Sequence, residues 1–178
     1  MIVIVEGLDR CGKSTLIKQL RKSVLIKPET ISLHCSSPPS GSDINWSMNH
    51  YRYILHTAAK LSEDGWDVIM DRSHLGEDVF GPLFRNTSGD FIYDLEATIL
   101  YNSEVKLIMI IDSPESIIKR DDGDSHTVTM DGIKNVSDRF LKVFQKTHIN
   151  DKMVYHISND GGFTNMFQTV KEFIDCKQ

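Results

Sequence analysis

A glycine-rich segment directly after a short β-branched run constrains this chain more than any other feature. Residues Gly7–Ser14 read GLDRCGKS and match the pattern G-x-x-x-x-G-K-[ST] in full. They lie between a strand candidate at Ile2–Val5 and an amphipathic stretch at Ser14–Lys22. Glycines let successive backbone N–H groups point inward, and the N-terminus of the following helix adds about half a positive charge. The segment therefore predicts a cradle for the phosphates of a nucleotide.

The loop residues also predict a triphosphate and its metal ion as ligands. In this pattern Lys13 reaches the β- and γ-phosphates, and the hydroxyl of Ser14 is a ligand of Mg²⁺, whose charge bridges the phosphates. ATP and Mg²⁺ are therefore the expected cofactors. The candidate phosphate-binding residues are Gly7, Asp9, Arg10, Cys11, Gly12, Lys13, Ser14 and Thr15.

Short apolar runs alternate with segments of helical periodicity along the rest of the chain. Further strands are predicted at Thr30–His34, Asp67–Met70, Val105–Ile111 and, as an edge strand, Met153–Ile157. Helices are predicted at Ser14–Lys22, Ser47–Ser62, Phe91–Asn102, Pro114 to near Arg120, Ile133–Thr147 and Phe163–Cys176. Parallel strands need crossover connections, and helices are the usual crossovers. We therefore expect an α/β three-layer sandwich, formed by residues 1–178 as a single domain.

Composition and charge narrow the classes of protein further. The longest clean apolar runs have five residues, far fewer than the ~20 that span a bilayer. Nothing after Met1 resembles a signal peptide, and the three cysteines are widely spaced without a CxxC motif, as in reduced thiols. We therefore expect a cytoplasmic protein. The net charge of −5 argues against a protein that coats nucleic acid, and the scattered histidines do not predict a zinc site.

Charged residues inside and beyond the loop carry a family resemblance. The stretch Val5–Thr15 resembles the phosphate loop of thymidylate kinases, in the group that carries its catalytic arginine in this loop. The Asp71-Arg72 pair after the third strand resembles the second signature of that family, and Arg120 resembles the start of its lid. The matches extend from about Ile2 to Phe144. The resemblance implies a P-loop nucleotide kinase with a five-stranded parallel sheet flanked by helices.

The resemblance also implies which residues act on the transferred phosphate. Arg10 would stabilise the redistributing charge, a role worth ~10³–10⁵ in rate for a well-placed arginine. Asp71 would orient Mg²⁺-bound water or the acceptor, which makes it a metal candidate together with Ser14. A lid at about residues 119–131 would exclude water. The candidate catalytic residues are Arg10, Lys13, Asp71 and Arg120.

On the acceptor side, the resemblance implies that Asp9 binds the sugar 3′-hydroxyl and that Arg72 grips the acceptor phosphate. Met48 and Arg52 are four residues apart on one helix, where thymidylate kinases place an aromatic residue and an arginine. Since Met48 replaces that ring, the rings that could stack on the base instead are Trp46, Tyr51 and Phe80. The candidate acceptor-binding residues are Asp9, Met48, Arg52, Arg72, His74 and Glu77. For His74 and Glu77 a plain surface position is the alternative.

The predicted activity is transfer of the ATP γ-phosphate to a deoxynucleoside monophosphate, with dTMP as the leading candidate. A deoxynucleoside kinase is the first alternative, although a neutral sugar hydroxyl does not need two arginines. A polynucleotide kinase is disfavoured by the net charge, and a non-enzymatic ATP-binding switch remains the alternative from another class. The expected partners are small nucleotides, without a stable nucleic-acid complex or a membrane. A homodimer through Ser47–Ser62 or Phe91–Asn102 stays open.

Overall fold

A computed structural model describes residues 1–23, 30–39, 41–120 and 129–176. Within these residues, five strands form one parallel sheet in the order β2-β3-β1-β4-β5. The strands are β1 (Ile2–Gly7), β2 (Ile31–His34), β3 (Val68–Asp71), β4 (Val105–Ile111) and β5 (Asp151–His156). The predicted five-stranded parallel sheet is confirmed, with β5 at an edge.

Strand β1 lies at the centre of the sheet. All six of its residues are buried, as are all seven of β4, because both faces of a central parallel strand are covered. Val5 is paired with Asp71 of β3, and Gly7 is paired with Ile110 of β4. The residues that follow β1, β3 and β4 therefore meet at the carboxyl edge of the sheet, where open α/β sheets bind ligands.

Seven helices of the described residues complete the sandwich. They are α1 (Lys13–Lys22), α2 (Ile44–Glu63), α3 (Leu75–Phe80), α4 (Phe91–Leu95), α5 (Pro114–Ile118), α6 (Met130–Lys146) and α7 (Gly162–Asp175). Helix α1 packs with α7, whereas α2 packs with α4 and α3 packs with α6. The predicted three-layer α/β fold is confirmed.

Helices α2, α3 and α4 differ from the predictions. Helices α3 and α4 each continue into a π-helical turn, at Gly81–Arg85 and Glu96–Leu100. The sequence does not predict α3, because Gly76, Gly81 and Pro82 are poor helix formers. Helix α2 begins earlier than predicted, because Asp43 caps its first turn by accepting a hydrogen bond from the Trp46 N–H at 2.8 Å.

Three further sequence expectations concern membrane spans, the cysteines and the lid. No described helix is both long and apolar enough to cross a membrane. Cys11, Cys35 and Cys176 are free thiols. Most of the predicted lid, residues 121–128, lies outside the described residues.

Gly7 is the position where the fold most requires glycine. Its φ is +131°, and a Cβ there would overlap the backbone carbonyl of Ile110 in β4. We expect Gly7→Ala to lower the free energy of unfolding by about 2–5 kcal/mol, measured by urea denaturation. The control is Gly65→Ala, where φ is +90° but the space is open, so that only about 1 kcal/mol is lost. Equal losses at the two sites would contradict the steric argument.

Candidate active site

The loop from Leu8 to Gly12 connects β1 to α1 and forms the predicted cradle. Arg10 and Gly12 have left-handed backbones, with φ of +60° and +75°, which turn the chain sharply into the helix. The first turn of α1 carries no acidic residue, so nothing there neutralises the positive end of its dipole. Ser14 is exposed at this end. Backbone N–H groups and a hydroxyl are thus available to an anion.

Lys13 is the buried cation of the cradle. Its Nζ donates hydrogen bonds to the carbonyl oxygens of Gly7 at 3.0 Å and Leu8 at 2.6 Å, and it lies 3.8 Å from Oδ1 of Asp9. Burial lowers the pKa of Lys13, and the charge of Arg72 acts in the same direction. The two carbonyl oxygens and the Asp9 carboxylate hold the Lys13 amine inside the loop, while burial and Arg72 disfavour its charged form.

An ion pair joins the cradle to the end of β3. Arg72 donates a hydrogen bond from its guanidinium to Oδ1 of Asp9 at 2.6 Å. Asp9 and Arg72 are the two residues that the resemblance assigns to the acceptor sugar and phosphate. The structure brings them together directly beside Lys13, although their roles stay predictions.

Two successive residues of β1 hold Arg72 in place. Arg72 has a φ of +66°, a left-handed conformation that costs a non-glycine residue roughly 1–2 kcal/mol. Its N–H donates to the carbonyl oxygen of Val5 at 3.0 Å. The next residue, Ser73, donates from its N–H at 2.6 Å and its hydroxyl at 3.0 Å to Oε1 of Glu6. Contacts on both sides of residue 72 therefore maintain its strained backbone.

A cleft of about 510 Å³ opens next to this pair, and we call it the β2–β3 cleft. It lies at the carboxyl ends of these two strands and is bounded on the other side by the α3 region. Its lining includes Asp9, His34, Cys35, Pro38, Arg72, Phe80, Phe84 and Arg85. A deeper cavity of about 30 Å³, which shares Arg72 and Arg85 with the cleft, is also lined by Glu6, Tyr51 and Glu77.

The floor and one wall of the cleft come from α3 and its π turn. Arg85 donates a hydrogen bond to Oε2 of Glu77 at 2.6 Å, and the Glu77 side chain is only 1% exposed. The rings of Phe80 and Phe84 stack with their centroids 6.0 Å apart. The cleft thus combines an aromatic wall with the guanidinium of Arg85, whereas the predicted acceptor residue Glu77 lines only the deeper cavity beside it.

Asp71 lies where the sequence predicts it, at the carboxyl end of β3. Its Oδ2 is 3.2 Å from Nδ1 of His34, which ends the neighbouring strand β2. The carboxylate is partly buried and shares this edge of the sheet with the cradle.

His74, a predicted acceptor residue, is not among the residues that line the cleft or the cavity beside it. The side chain is completely buried, and its Nε2 is 2.8 Å from Oε1 of Glu96. Glu96 also accepts hydrogen bonds from the Thr147 hydroxyl and the His148 N–H. His74 therefore belongs to a buried polar network that ties the α3–α4 region to the chain after α6.

The predicted acceptor pair Met48 and Arg52 does not line the cleft. Arg52 is exposed and donates a hydrogen bond to Asn49, whereas Tyr51 is buried and lines the deep cavity. Neighbouring helix residues lie about 100° apart. Met48 and Arg52 therefore lie beside the buried face of α2 and not on it. Of the three alternative rings, Tyr51 and Phe80 reach this region.

The predicted catalytic arginines Arg10 and Arg120 both lie near α5. Arg10 donates to the carbonyl oxygen of Ile117 at 3.3 Å. Arg120 is paired with the buried carboxylate of Asp112 at 2.6 Å, and its guanidinium lies 5.1 Å from the centre of the Phe163 ring. A contact between Arg120 and a phosphate would require this ion pair to open, so its catalytic role stays a prediction.

Asp112 follows β4 and was not predicted as a site residue. Burial opposes its ionisation, but hydrogen bonds from Ser158 and Arg120 hold its pKa below the ordinary value. The sequence feature that could have identified Asp112, and likewise Glu6, is a lone acid at the end of an apolar strand. A charge buried at that position must have partners.

Solved structures with the same fold are kinases and a related nucleotide-bound protein. YorR from Bacillus subtilis, in complex with phosphorylated GDP, has a TM-score of 0.74 at 17% identity, over 98% of this chain and 96% of that one. Thymidylate kinase from Candida albicans has a TM-score of 0.59 at 16% identity, over 98% and 90%. Deoxyadenosine kinase from M. mycoides with bound dATP has a TM-score of 0.61 at 11% identity, over 99% and 100%. The predicted likeness to thymidylate kinases is confirmed at the level of the fold.

No protein-family model matches the chain, and no curated protein matches it at a significant level.

The buried carboxyl of Glu6 predicts a distinctive pH dependence of stability. Burial raises the pKa of Glu6, so between its unfolded and folded values the folded state binds more protons, and stability falls as pH rises. Glu6→Gln keeps an Oε1 acceptor for Ser73 but has no charge to bury. We expect the unfolding free energy of Glu6→Gln, relative to wild type, to increase from about pH 4.5 towards neutral pH, as measured by urea denaturation.

The matched variant is Glu6→Ala, which leaves the Ser73 N–H without this acceptor. We expect its unfolding free energy to lie about 1–3 kcal/mol below that of Glu6→Gln across the same pH range. A constant difference between Glu6→Gln and wild type at all pH values would contradict the assigned pKa shift.

Proposed function

We propose that the chain is a nucleotide kinase that transfers the γ-phosphoryl group of ATP to a deoxynucleoside monophosphate, with dTMP as the leading candidate. The observation that carries the proposal is the Asp9–Arg72 ion pair, which joins the cradle directly to the β2–β3 cleft. A phosphate held by the cradle and an anion held by Arg72 would therefore be neighbours, as phosphoryl transfer requires. The fold shared with thymidylate kinases supports the proposal.

On the donor side, the backbone N–H groups of the loop and the start of α1 would bind the triphosphate, with Lys13 at its outer phosphates. Mg²⁺ prefers oxygen ligands, usually one or two carboxylates beside the phosphates. The exposed hydroxyl of Ser14 and the carboxylate of Asp71 fit that preference, so these two residues would hold the ion. When bound, Mg²⁺ neutralises charge on the phosphates.

On the acceptor side, Arg72 would exchange part of its contact with Asp9 for the acceptor phosphate. That exchange would leave the Asp9 carboxylate able to accept a hydrogen bond from the sugar. Arg10 would stabilise the charge of the transferred group, since it belongs to the loop itself. Catalysis by these residues is positioning and electrostatic stabilisation, with no covalent step on the protein.

A deoxynucleoside kinase is the second candidate. The deoxyadenosine kinase fold matches 99% of this chain, so the fold alone does not separate the two acceptor classes. The separation depends on whether Arg72 binds an acceptor phosphate, because a nucleoside has none.

Product formation from ATP and a panel of deoxynucleosides and their monophosphates tests the proposal. We expect Arg72→Gln to raise the KM for the monophosphate by roughly 10–100-fold, the effect of losing a charge-assisted hydrogen bond, and to leave the affinity for ATP nearly unchanged. An unchanged KM would favour the nucleoside kinase.

Lys13→Ala gives an independent test of the donor side. We expect it to lower kcat by at least about 100-fold, because it removes a positive group from the transferred phosphate. Steady release of ADP by wild type without any phosphorylated acceptor would contradict a kinase and favour a nucleotide-dependent switch.

A further inference from the structure

We infer that a basic pocket between α3 and α6 binds a dianionic phosphate group, at a site separate from the cradle. The pocket, which we call the α6 pocket, has a volume of about 300 Å³ and is lined by Asp78, Arg139, Lys142, Gln145 and Lys146. That volume lies at the lower end of the range of small-molecule sites. None of the five residues lines the β2–β3 cleft or the deep cavity. The inference therefore does not depend on the proposed function.

Helix α6 supplies all three cations of the pocket. Positions 139, 142 and 146 are three and four residues apart, so their side chains lie along one face of the helix. The neighbouring stripe contains Phe140 and Val143, which are buried in the core. Because this apolar stripe fixes the rotation of α6, the three cations are turned towards the pocket.

Two of the three cations are held in place by contacts within the protein. Arg139 donates a hydrogen bond from Nε to the backbone carbonyl of Asp78 at 2.6 Å, and a second from its guanidinium to the Asp78 carboxylate. The ammonium of Lys146 lies 3.0 Å from the carboxylate of Asp90 and 4.9 Å from the centre of the Tyr93 ring. Side chains that are already ordered lose less conformational freedom when a ligand binds.

The charge of the pocket is not balanced by its own acid. The lining carries three cations and one carboxylate, a net charge of +2. The Asp78 side chain is only 2% exposed, and its carboxylate already accepts hydrogen bonds from Arg139 and the Tyr93 hydroxyl. Asp90 offsets part of the charge of Lys146, but it is 68% exposed, and water weakens an exposed ion pair. The pocket therefore attracts an anion.

Lys142 is the cation of the pocket that has no counter-charge. Within the described part of the chain, it makes no hydrogen bond or ion pair. An ammonium group has three N–H donors, and a guanidinium has five. Arg139 uses two of its donors on Asp78. Lys142 and Arg139 therefore have donors available for a ligand.

A phosphate group matches both the charge and the donors of the α6 pocket. A phosphate monoester carries about −1.5 to −2 charges at neutral pH and has three strong acceptor oxygens. A carboxylate carries a single charge and would leave half of the net charge of the lining uncompensated. The ligand is thus free phosphate or a small phosphate monoester, two sources that share the same dianionic group.

Calorimetric titration with ribose 5-phosphate tests the inference, with inorganic phosphate and ribose as separate titrants. We expect Lys142→Gln to raise the dissociation constant of ribose 5-phosphate by roughly 10–100-fold, the effect of losing a charge-assisted hydrogen bond. This variant should fold normally, because Lys142 is exposed and makes no contact of this kind. Ribose alone is expected not to bind.

The matched control is Lys134→Gln, which makes the same charge change on the same helix. Lys134 pairs with Asp138 at 2.6 Å and does not line the α6 pocket. We expect this variant to keep the wild-type dissociation constant. Since the cradle and Arg72 could also bind the probe, the titration is repeated in Lys13→Ala and Arg72→Gln. The binding event that Lys142→Gln weakens is expected to persist in both.

The reactivity of individual lysines locates the ligand independently. The protein is treated with an amine-acylating reagent with and without ribose 5-phosphate, and mass spectrometry measures the modification of each lysine. We expect the ligand to slow acylation of Lys142 at least threefold and to leave Lys134 unchanged. Tighter binding of ribose 5-phosphate than of inorganic phosphate would identify a monoester as the ligand, and equal binding would identify free phosphate.

Three results would overturn the inference. The first is the same dissociation constant in Lys142→Gln and wild type, which includes the case that no titrant binds. The second is loss of all binding in Lys13→Ala or Arg72→Gln, because the phosphate would then lie in the cradle or the cleft. The third is acylation of Lys142 that the ligand does not slow. Equal weakening by Lys134→Gln would also contradict a specific site and indicate a general effect of charge.

Discussion

The parallel pairing of β1 between β3 and β4 is the constraint on which the rest of the site depends. It aligns Val5 with Asp71 and Gly7 with Ile110, so that the chain leaves all three strands at one edge. Glu6 can reach Ser73 only in this register, and Asp9 can reach Arg72 only because the loop starts there. A shift by one residue would reverse the side on which each β1 side chain lies. The register of the sheet therefore determines the geometry of the site.

Much of this arrangement could be predicted from the sequence, for physical reasons that differ between elements. The strand Val105–Ile111 was predicted with its observed bounds, because a run rich in apolar and β-branched residues, interrupted only by Lys106, has few alternatives. The phosphate loop was recognisable because its glycines and lysine have fixed spacing. The Asp71-Arg72 pair was predicted at a strand end because functional residues of parallel sheets gather there.

The rest of the site depends on contacts between distant residues, which a local pattern does not contain. His74 was expected to face a ligand, but its partner Glu96 is 22 positions away and holds it in the core. The side chain of Arg85 enters the cleft because of a π turn, and no periodicity of 3.6 residues predicts that turn. Met48 and Arg52 have the right spacing for one helix face, but the rotation of α2 against the sheet decides which face is used.

The left-handed backbones at Arg10 and Arg72 have a consequence for how this protein can change over generations. At both positions glycine would relieve strain, yet glycine carries no guanidinium. Under selection for folding alone, these two arginines should therefore be lost early. Selection for turnover should keep them, although the left-handed backbone lowers the stability of the folded state. Among homologues, arginine retained at such positions would mark lineages in which the site is still in use.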